Sequence, residues 1–168
     1  MFTEGAGMKT DIGSILYAAD LGAGCEEVLA YAIGLANRLG AKLKVLTVIP
    51  EEREKSLVEV DSHVPKEILD QYHHDRAQRV RQHIEAQIAA FYAVRPEKHG
   101  QPISEVTVHE GDDVAQLILD EAQAGPSDLI LMCSRAEGVL MGLLFGSVVQ
   151  DVMRKSTVPL LLVPCGGE

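Results

Sequence analysis

The sequence has no tryptophan, few aromatic residues and no long apolar run. Aromatic residues make up 4% of the 168 residues, and the core must therefore be mostly aliphatic. Apolar runs such as 129–133 and 158–163 fall far short of the ~18 residues that a membrane-spanning helix needs. The N-terminal segment also lacks the basic and apolar regions of a signal peptide. We therefore expect no membrane segment, and we expect residues 1–10 to form a flexible leader.

Positive charge is scarce as well. The 15 Lys and Arg residues stand against 25 Asp and Glu residues, which gives a formal net charge of −10. A surface of this sign repels polyphosphate backbones, and nucleic-acid binding is therefore disfavoured. A small anion held by backbone N–H groups needs no positive net charge, and a site of that kind is compatible with this composition.

Cysteine is rare and irregularly placed. The three cysteines, Cys25, Cys133 and Cys165, form no C-x-x-C pair. An odd number without such spacing favours reduced thiols in the cytoplasm over a disulfide framework. The length suits one well-buried domain, which we place at residues 11–165 with a charged loop at about 51–65.

Apolar periodicity predicts strands that alternate with helices along the chain. Gly40 suits the end of the first helix, Pro65 the start of a long second helix, and 111–113 the start of a third. The predicted strands cover 14–20, 42–49, 103–109, 128–132 and 158–163. The expected apolar faces are Ile68, Tyr72, Val80, Ile84, Ile88 and Phe91 on the second helix and Val114, Leu117, Ile118 and Ala122 on the third.

This order of elements predicts the fold class. Strands separated by single helices imply parallel pairing through right-handed crossovers. The nearly all-apolar fourth and fifth strands fit burial on both faces. We therefore predict an open, doubly wound α/β sheet of five mainly parallel strands with helices on both faces. Ligands of such sheets bind beyond the carboxyl ends of the strands, which places Asp20 and residues 133–136 on one rim.

Three segments resemble the universal stress protein family, over nearly the whole chain from about residue 14 to 163. They are Ile15-Leu-Tyr-Ala-Ala-Asp20, Pro126-Ser-Asp-Leu-Ile-Leu-Met132, and Leu143-Leu-Phe-Gly-Ser-Val148 followed by Val158-Pro-Leu-Leu-Leu-Val163. The resemblance implies a three-layer fold like that of the adenine nucleotide alpha hydrolases, with the strand order 3-2-1-4-5.

The ATP-binding branch of that family carries G-x-x-G, nine residues, and then G-[S/T]. Gly146 and Ser147 match the last part, whereas Cys133 and Ala136 stand where the first two glycines would be. Alanine adds a single methyl group, and cysteine ends a strand, where φ is expected to be negative. These replacements predict weakened rather than abolished nucleotide binding.

The resemblance also implies which residues would bind ATP or AMP. Ala18, Ala19 and Val48 would form an apolar slot for the base, and Asp20 would accept a hydrogen bond from the adenine or ribose. Positive charge and backbone N–H groups would hold the phosphates, with Mg²⁺ or Mn²⁺ bound through the phosphates only. The expected set is Ala18, Ala19, Asp20, Val48, Met132, Cys133, Arg135, Ala136, Gly146, Ser147 and Val148.

Several of these residues have a purely structural interpretation too. Ser147 and Gln150 fit a capping box of the helix that follows, and Gly146 suits tight helix packing. Cys133 is either a redox-sensitive thiol or a small buried hydrophobe. No positioned base or nucleophile is evident beside Ser147, and we predict neither a metal site nor a catalytic constellation.

Three functions therefore compete. The first is a regulatory module that binds an adenine nucleotide, the second is a dimeric interaction module that binds none, and the third is a slow ATP hydrolase or a thiol redox protein. The apolar run from Val158 to Val163 contains Pro159, which suits an edge strand. The resemblance implies that two such edges pair, and we expect a homodimer with no nucleic-acid or membrane partner.

Overall fold

The computed structural model describes residues 10–20, 25–50, 65–95, 100–134 and 146–165. Strands and helices alternate there as predicted, while the leader 1–9 and the charged segment 51–64 lie outside the described residues. The elements are β1 (Ser14–Ala18), α1 (Cys25–Leu39), β2 (Lys42–Ile49), α2 (Lys66–Val94), β3 (Ile103–Glu110), α3 (Val114–Ala124), β4 (Leu129–Ser134), α4 (Ser147–Lys155) and β5 (Leu160–Pro164).

The five strands form one sheet in the order β3-β2-β1-β4-β5, and every neighbouring pair is parallel. β1 is the central strand, where Tyr17 lies opposite Val45 of β2 and Leu131 of β4. This topology confirms the predicted doubly wound fold. The sheet grows from β1 in one direction through β2 and β3 and in the other through β4 and β5, which makes β1 and β4 the point where strand order reverses.

Helices bury both faces of this sheet. On one face, α1 and α2 cover Ile15, Tyr17 and Leu131. On the other face, α3 and α4 cover Leu16 and Ile130. Successive residues of β1 and β4 therefore alternate between two buried layers, which explains why both strands are almost wholly apolar.

Asp128 fastens the amino ends of β1 and β4 together. Its Oδ2 accepts hydrogen bonds from the N–H groups of Gly13 and Ser14 at 3.0 and 3.1 Å. Its own N–H donates to the Ser14 carbonyl at 2.9 Å. The two strands are thus held at the end of the sheet opposite their carboxyl termini.

Two helix ends follow their sequence signals. Gly40 ends α1 with φ of 64°, the left-handed conformation that glycine adopts without steric cost. Asp113 caps α3, because its Oδ1 accepts a hydrogen bond from the Gln116 N–H at 3.0 Å. Both signals are local, and both predictions are confirmed.

The apolar face predicted for α2 is right only in its second half. The last four residues of that face pack against the core, with Ile84 buried, but Ile68 and Tyr72 are 59% and 47% exposed. The 29 residues of α2 span about 43 Å at ~1.5 Å per residue, whereas an eight-residue strand such as β3 covers about 26 Å. The helix is therefore longer than the sheet that it covers. Among the described residues, no helix is long and apolar enough to cross a membrane.

α3 turns a slightly different face inward from the predicted one. Ile118 and Ala122 are buried as expected, together with Ala115 and Leu119. Val114 and Leu117 are only half-buried. Residues 117–119 are three consecutive apolar residues, and the sequence therefore does not determine which face of this helix points inward. Packing against the sheet determines that face.

The prediction of reduced thiols is wrong for one pair of cysteines. Cys133 and Cys165 form a disulfide, with their Cα atoms 6.0 Å apart, inside the ~4.4–6.8 Å range of such bonds. In the β4–β5 pair, Cys133 lies opposite Val163, and Cys165 follows two residues later. The pairing arises from the register of the sheet, which spacing along the sequence does not reveal.

A half-buried ion-pair cluster joins β2 and β3 to α3. Lys44 Nζ pairs with Glu105 Oε2 at 3.0 Å and also with Glu121 Oε1. His109 Nε2 lies 2.7 Å from Oε2 of Glu121. The hydrogen bond to Glu121 raises the pKa of Lys44. Burial by itself would raise the pKa of Glu121, but the hydrogen bonds from Lys44 and His109 outweigh it and leave that pKa lowered.

We expect this cluster to make folding stability fall at both extremes of pH. A lowered carboxyl pKa stabilises the folded state above its ordinary value of 4.5, and this contribution is lost as the pH falls through the folded pKa of Glu121. A raised ammonium pKa stabilises the folded state below 10.5, and this contribution is lost as the pH rises through the folded pKa of Lys44.

Urea unfolding across the acid range tests the Glu121 contribution. In Glu121→Gln, the free energy of unfolding should depend less on pH below 4.5 than in the wild type. Glu85→Gln removes an exposed carboxylate of α2 and is the matched control, which should keep the wild-type dependence. Equal acid dependence in Glu121→Gln and the wild type would contradict the assignment.

Candidate functional site

A pocket of about 820 Å³ opens at the carboxyl ends of β1, β2 and β4. This is where the strand order reverses, the usual ligand position in a doubly wound sheet. The helices α2, α3 and α4 supply the rest of its wall. The described lining residues are Ala18, Ala19, Asp20, Leu46, Thr47, Val48, Ile49, Pro50, Arg76, Val80, Val114, Ile118, Met132, Cys133 and Val148.

The floor of the pocket is made of small and apolar residues. Ala18 ends β1 and is buried, and Ala19 follows it half-buried. The Ala19 N–H donates to the Leu46 carbonyl at 2.7 Å, and the Ala19 carbonyl accepts a hydrogen bond from Thr47 Oγ1 at 3.4 Å. The backbone at the end of β1 is therefore held to β2, and two methyl groups are all that projects from this part of the floor.

Two charged residues lie on the wall among the described lining residues. Asp20 is exposed at the end of β1, and Arg76 projects from α2 and is half-buried. The sequence interpretation found Asp20 and missed Arg76. The signal was available, because Arg76, Val80 and Ile84 are spaced by four residues and share one face of a helix. An arginine on the inward face near the end of a sheet is a candidate ligand of an anion or of a π-system.

The β4 side of the pocket is apolar. Met132 and Cys133 are both buried strand residues with one edge on the pocket. Cys133 belongs to β4, whose backbone is extended, and its position therefore does not require glycine. Arg135 and Ala136, the other residues predicted from this loop, lie outside the described residues.

The amino end of α4 lies at the edge of the pocket. Val148 lines the wall, while Gly146 and Ser147 are exposed and not part of it. Gly146 has φ of −62°, which any residue can adopt. A Cβ placed on Gly146 would meet no atom within 4 Å. Among the described residues, tight packing therefore does not account for this glycine, and the space beside it is open.

The capping box predicted for Ser147 does not form. The helix begins at Ser147 itself, with Gly146 as the N-cap and no side-chain hydrogen bond to the cap. The Gln150 N–H donates to the Gly146 carbonyl at 3.1 Å, which makes Gly146 the acceptor of the first helical hydrogen bond. The helix starts one residue earlier than a cap at Ser147 requires, and the N–H groups of its first turn need another acceptor.

A metal site built only from protein side chains finds no support in the described residues. His73 on α2 pairs with Glu110 at 2.7 Å between Nδ1 and Oε2. Within the five described ranges, no group of three or more His, Cys, Asp or Glu side chains could hold a metal ion.

Comparisons with known proteins match the chain to one family. The universal stress protein family matches residues 12–164. Among solved structures, the hypothetical protein MJ0577 is 22% identical with a TM-score of 0.67, over 95% of this chain and 100% of that one. A universal stress protein in complex with cAMP is 15% identical with a TM-score of 0.60, over 92% and 98% of the two chains. The universal stress protein from Archaeoglobus fulgidus in complex with dAMP is 16% identical with a TM-score of 0.50, over 90% and 96%. Among curated proteins, none matches the sequence significantly.

The geometry of α4 predicts that Ser147 contributes little to stability. Ser147→Ala should change the free energy of unfolding by less than about 0.5 kcal/mol, because no side-chain cap is lost. Asp113→Ala is the comparison variant, and it should cost about 1 kcal/mol, because it removes the cap of α3. Urea denaturation measures both. Equal losses in the two variants would show that Ser147 caps its helix after all.

Proposed function

The chain belongs to the universal stress protein family, and on this premise we propose that it is a regulatory module that binds an adenine nucleotide, ATP or AMP. The observation that carries the proposal is the apolar pocket of about 820 Å³ at the β1–β4 reversal point, whose described lining residues include one carboxylate and one guanidinium. Its volume falls within the ~300–1,000 Å³ of typical small-molecule sites. The eleven residues predicted from the sequence stay a proposal, and seven of them line this pocket.

The base occupies the apolar part of the pocket. Ala18 and Ala19 leave room above the floor, and Val48 and Met132 provide aliphatic contacts on either side. A purine ring gains most from such a slot because it buries two flat apolar faces. The alanines matter by their small size, since any larger side chain at the end of β1 would fill the slot.

Asp20 and Arg76 orient the nucleotide through its polar groups. An exposed carboxylate at the end of β1 accepts hydrogen bonds from the adenine amino group or a ribose hydroxyl. The Arg76 guanidinium adds positive charge to the wall of a protein whose net charge is −10. That charge favours an anionic ligand, and the planar guanidinium can also stack on the base.

The phosphates lie at the amino end of α4. The first-turn N–H groups of this helix need acceptors, and the helix dipole favours a negative charge there. Gly146 leaves open space for a close approach, and the Ser147 hydroxyl can donate a hydrogen bond to a phosphate oxygen. Mg²⁺ or Mn²⁺ would be bound through the phosphates only.

Two structural relatives support the choice of ligand. One universal stress protein was solved in complex with cAMP and another in complex with dAMP. Both ligands contain adenine and one phosphate group, which is the chemistry that the apolar slot and the α4 terminus would recognise. Because their sequence identity to this chain is low, these relatives show a shared fold and no more. The ligand of this chain is our proposal.

Isothermal calorimetry with Mg-ATP and with AMP tests nucleotide binding. The wild type should release or absorb measurable heat at millimolar nucleotide or below. The double variant Gly146→Val with Ser147→Ala should lose this binding and keep its fold, because both residues are exposed. Asp20→Asn should bind about tenfold more weakly, as expected for a lost charged hydrogen bond.

Matched controls separate the pocket from general effects of charge. Asp120→Asn removes an exposed carboxylate of α3 that is not among the described lining residues. It should bind the nucleotide as the wild type does. No heat from the wild type at millimolar ATP would reject nucleotide binding and favour an interaction module. Equal losses in Asp20→Asn and Asp120→Asn would reject the assigned position of the ligand.

A dimeric interaction module without a nucleotide is the second candidate, and the edge strand β5 favours it. β5 pairs only with β4 within the described sheet, and Leu160, Leu161, Leu162 and Val163 are all half-buried. An apolar strand edge left uncovered promotes aggregation. We propose that β5 pairs with its copy in a homodimer, whether or not a nucleotide binds. The run from Val158 to Val163 would supply that interface.

The register of β5 identifies which N–H groups face the free edge. Ile130 N–H donates to the Pro159 carbonyl at 2.9 Å, and Cys165 N–H donates to the Ser134 carbonyl at 3.3 Å. In a parallel pair, the N–H and C=O groups of alternate residues point to the same neighbouring strand. The odd-numbered residues of β5 therefore direct their backbone N–H and C=O groups to β4. Leu162 directs its N–H to the free edge.

Light scattering at micromolar concentration tests the dimer. The wild type should have twice the chain mass of 18.2 kDa. Leu162→Pro should be monomeric, because it removes an outward N–H and no hydrogen bond to β4. Leu162→Ala loses the same side chain, keeps the N–H, and should stay dimeric. A monomeric wild type, or equal masses for the two variants, would reject pairing through β5.

An enzyme is the third candidate, as a slow ATP hydrolase or a thiol redox protein. Hydrolysis needs a positioned base, and Asp20 is the only carboxylate among the described lining residues. We rank hydrolysis last for that reason. We also propose a cytoplasmic location for the protein.

A further inference from the structure

The disulfide between Cys133 and Cys165 lies directly beside the nucleotide pocket. Cys133 is a wall residue of the pocket, and both cysteines belong to the buried cluster beneath α1 and α2. Cys165 follows the edge strand β5 and donates its N–H to the Ser134 carbonyl at 3.3 Å. One covalent bond thus joins the pocket wall to the end of the last strand.

The route of access to this bond is the pocket. Cys133 is 8% exposed and Cys165 is 9% exposed, which excludes attack by a large protein thiol on the folded chain. Cys133 nevertheless contributes to the lining of an open pocket of about 820 Å³. The pocket is therefore the side from which a small oxidant or a small dithiol would approach Cys133.

We propose that Cys133 and Cys165 are a reversible redox site that responds to small hydroperoxides and controls the affinity of the pocket. The Cys133 thiolate attacks one oxygen of hydrogen peroxide, the O–O bond breaks, and the departing hydroxide takes up a proton to form water. The Cys165 thiol then attacks the sulfenic acid on Cys133, the S–S bond forms, and a second water leaves with the Cys165 proton. The two thiols lose two electrons and two protons, which the peroxide accepts. A small dithiol reverses the reaction and becomes a disulfide itself.

Oxidation strengthens nucleotide binding, and this part of the inference rests on the proposed function. The disulfide holds Cys133 in the wall and encloses residues 134–164, which include α4 and its open amino end. Reduction removes the covalent link between β4 and the end of β5 and leaves two sulfurs that need separate space. If the pocket wall must become ordered when the ligand binds, this ordering lowers the affinity. We expect the reduced protein to bind Mg-ATP about fivefold more weakly, at the lower end of usual coupling between sites.

The redox chemistry is tested without any nucleotide. The Cys25→Ser background leaves only the two cysteines of interest. Under native conditions, brief hydrogen peroxide treatment should give a protein that takes up no alkylating reagent after denaturation. Dithiothreitol should restore two alkylated cysteines, as read by intact mass. Failure to oxidise, or failure to be reduced without denaturation, would overturn the reversible site.

The control of affinity is tested by calorimetry on the same two forms. Mg-ATP should bind the oxidised form more tightly, and Cys133→Ser and Cys165→Ser should both bind with the reduced affinity under either condition. Equal affinities of the oxidised and reduced forms would overturn control by the disulfide. If neither form binds a nucleotide, the proposed function fails and control of affinity fails with it, while the alkylation result still decides whether the pair is a reversible redox site.

Discussion

Parallel pairing of β1 with both β2 and β4 is the constraint on which the rest of the structure depends. Because both pairs are parallel, the three carboxyl ends reach the same edge of the sheet. The helix that follows β1 packs on one face of the sheet and the helix that follows β4 packs on the other, and the pocket opens at this edge. Asp128 holds the amino ends of β1 and β4 together. The position of the pocket thus follows from topology, before any side chain of its wall is considered.

The side chains then decide what this pocket can hold. Alanine at the end of β1 leaves space, while Asp20 and Arg76 bring opposite charges to the wall. The first turn of α4 begins at the edge of the same pocket, with a glycine that neither its φ angle nor a described neighbour requires. Features of separate elements therefore agree with the ligand that we propose, which has a flat apolar part and an anionic part. That agreement carries more weight than any one residue.

The sequence predicted features that depend on neighbours along the chain. Gly40 and Asp113 end or begin their helices as expected, and alternation of strands and helices was enough for the fold. Apart from the capping box of Ser147, the errors concern contacts between distant segments. Ile68 is exposed because α2 is longer than the sheet, and Arg76 reaches the pocket only through the position of that helix. The Cys133–Cys165 bond depends on the register of β4 against β5, which no local pattern encodes.

The substituted position 133 links the nucleotide motif to the disulfide. In the resembling ATP-binding proteins, a glycine would stand there, yet β4 continues through Ser134 and its extended backbone needs no glycine. A side chain at this position is therefore tolerated by the backbone. In this chain that side chain packs in the core cluster beneath α1 and α2 and is bonded to Cys165. The residue that departs from the motif is thus the same residue that forms the disulfide.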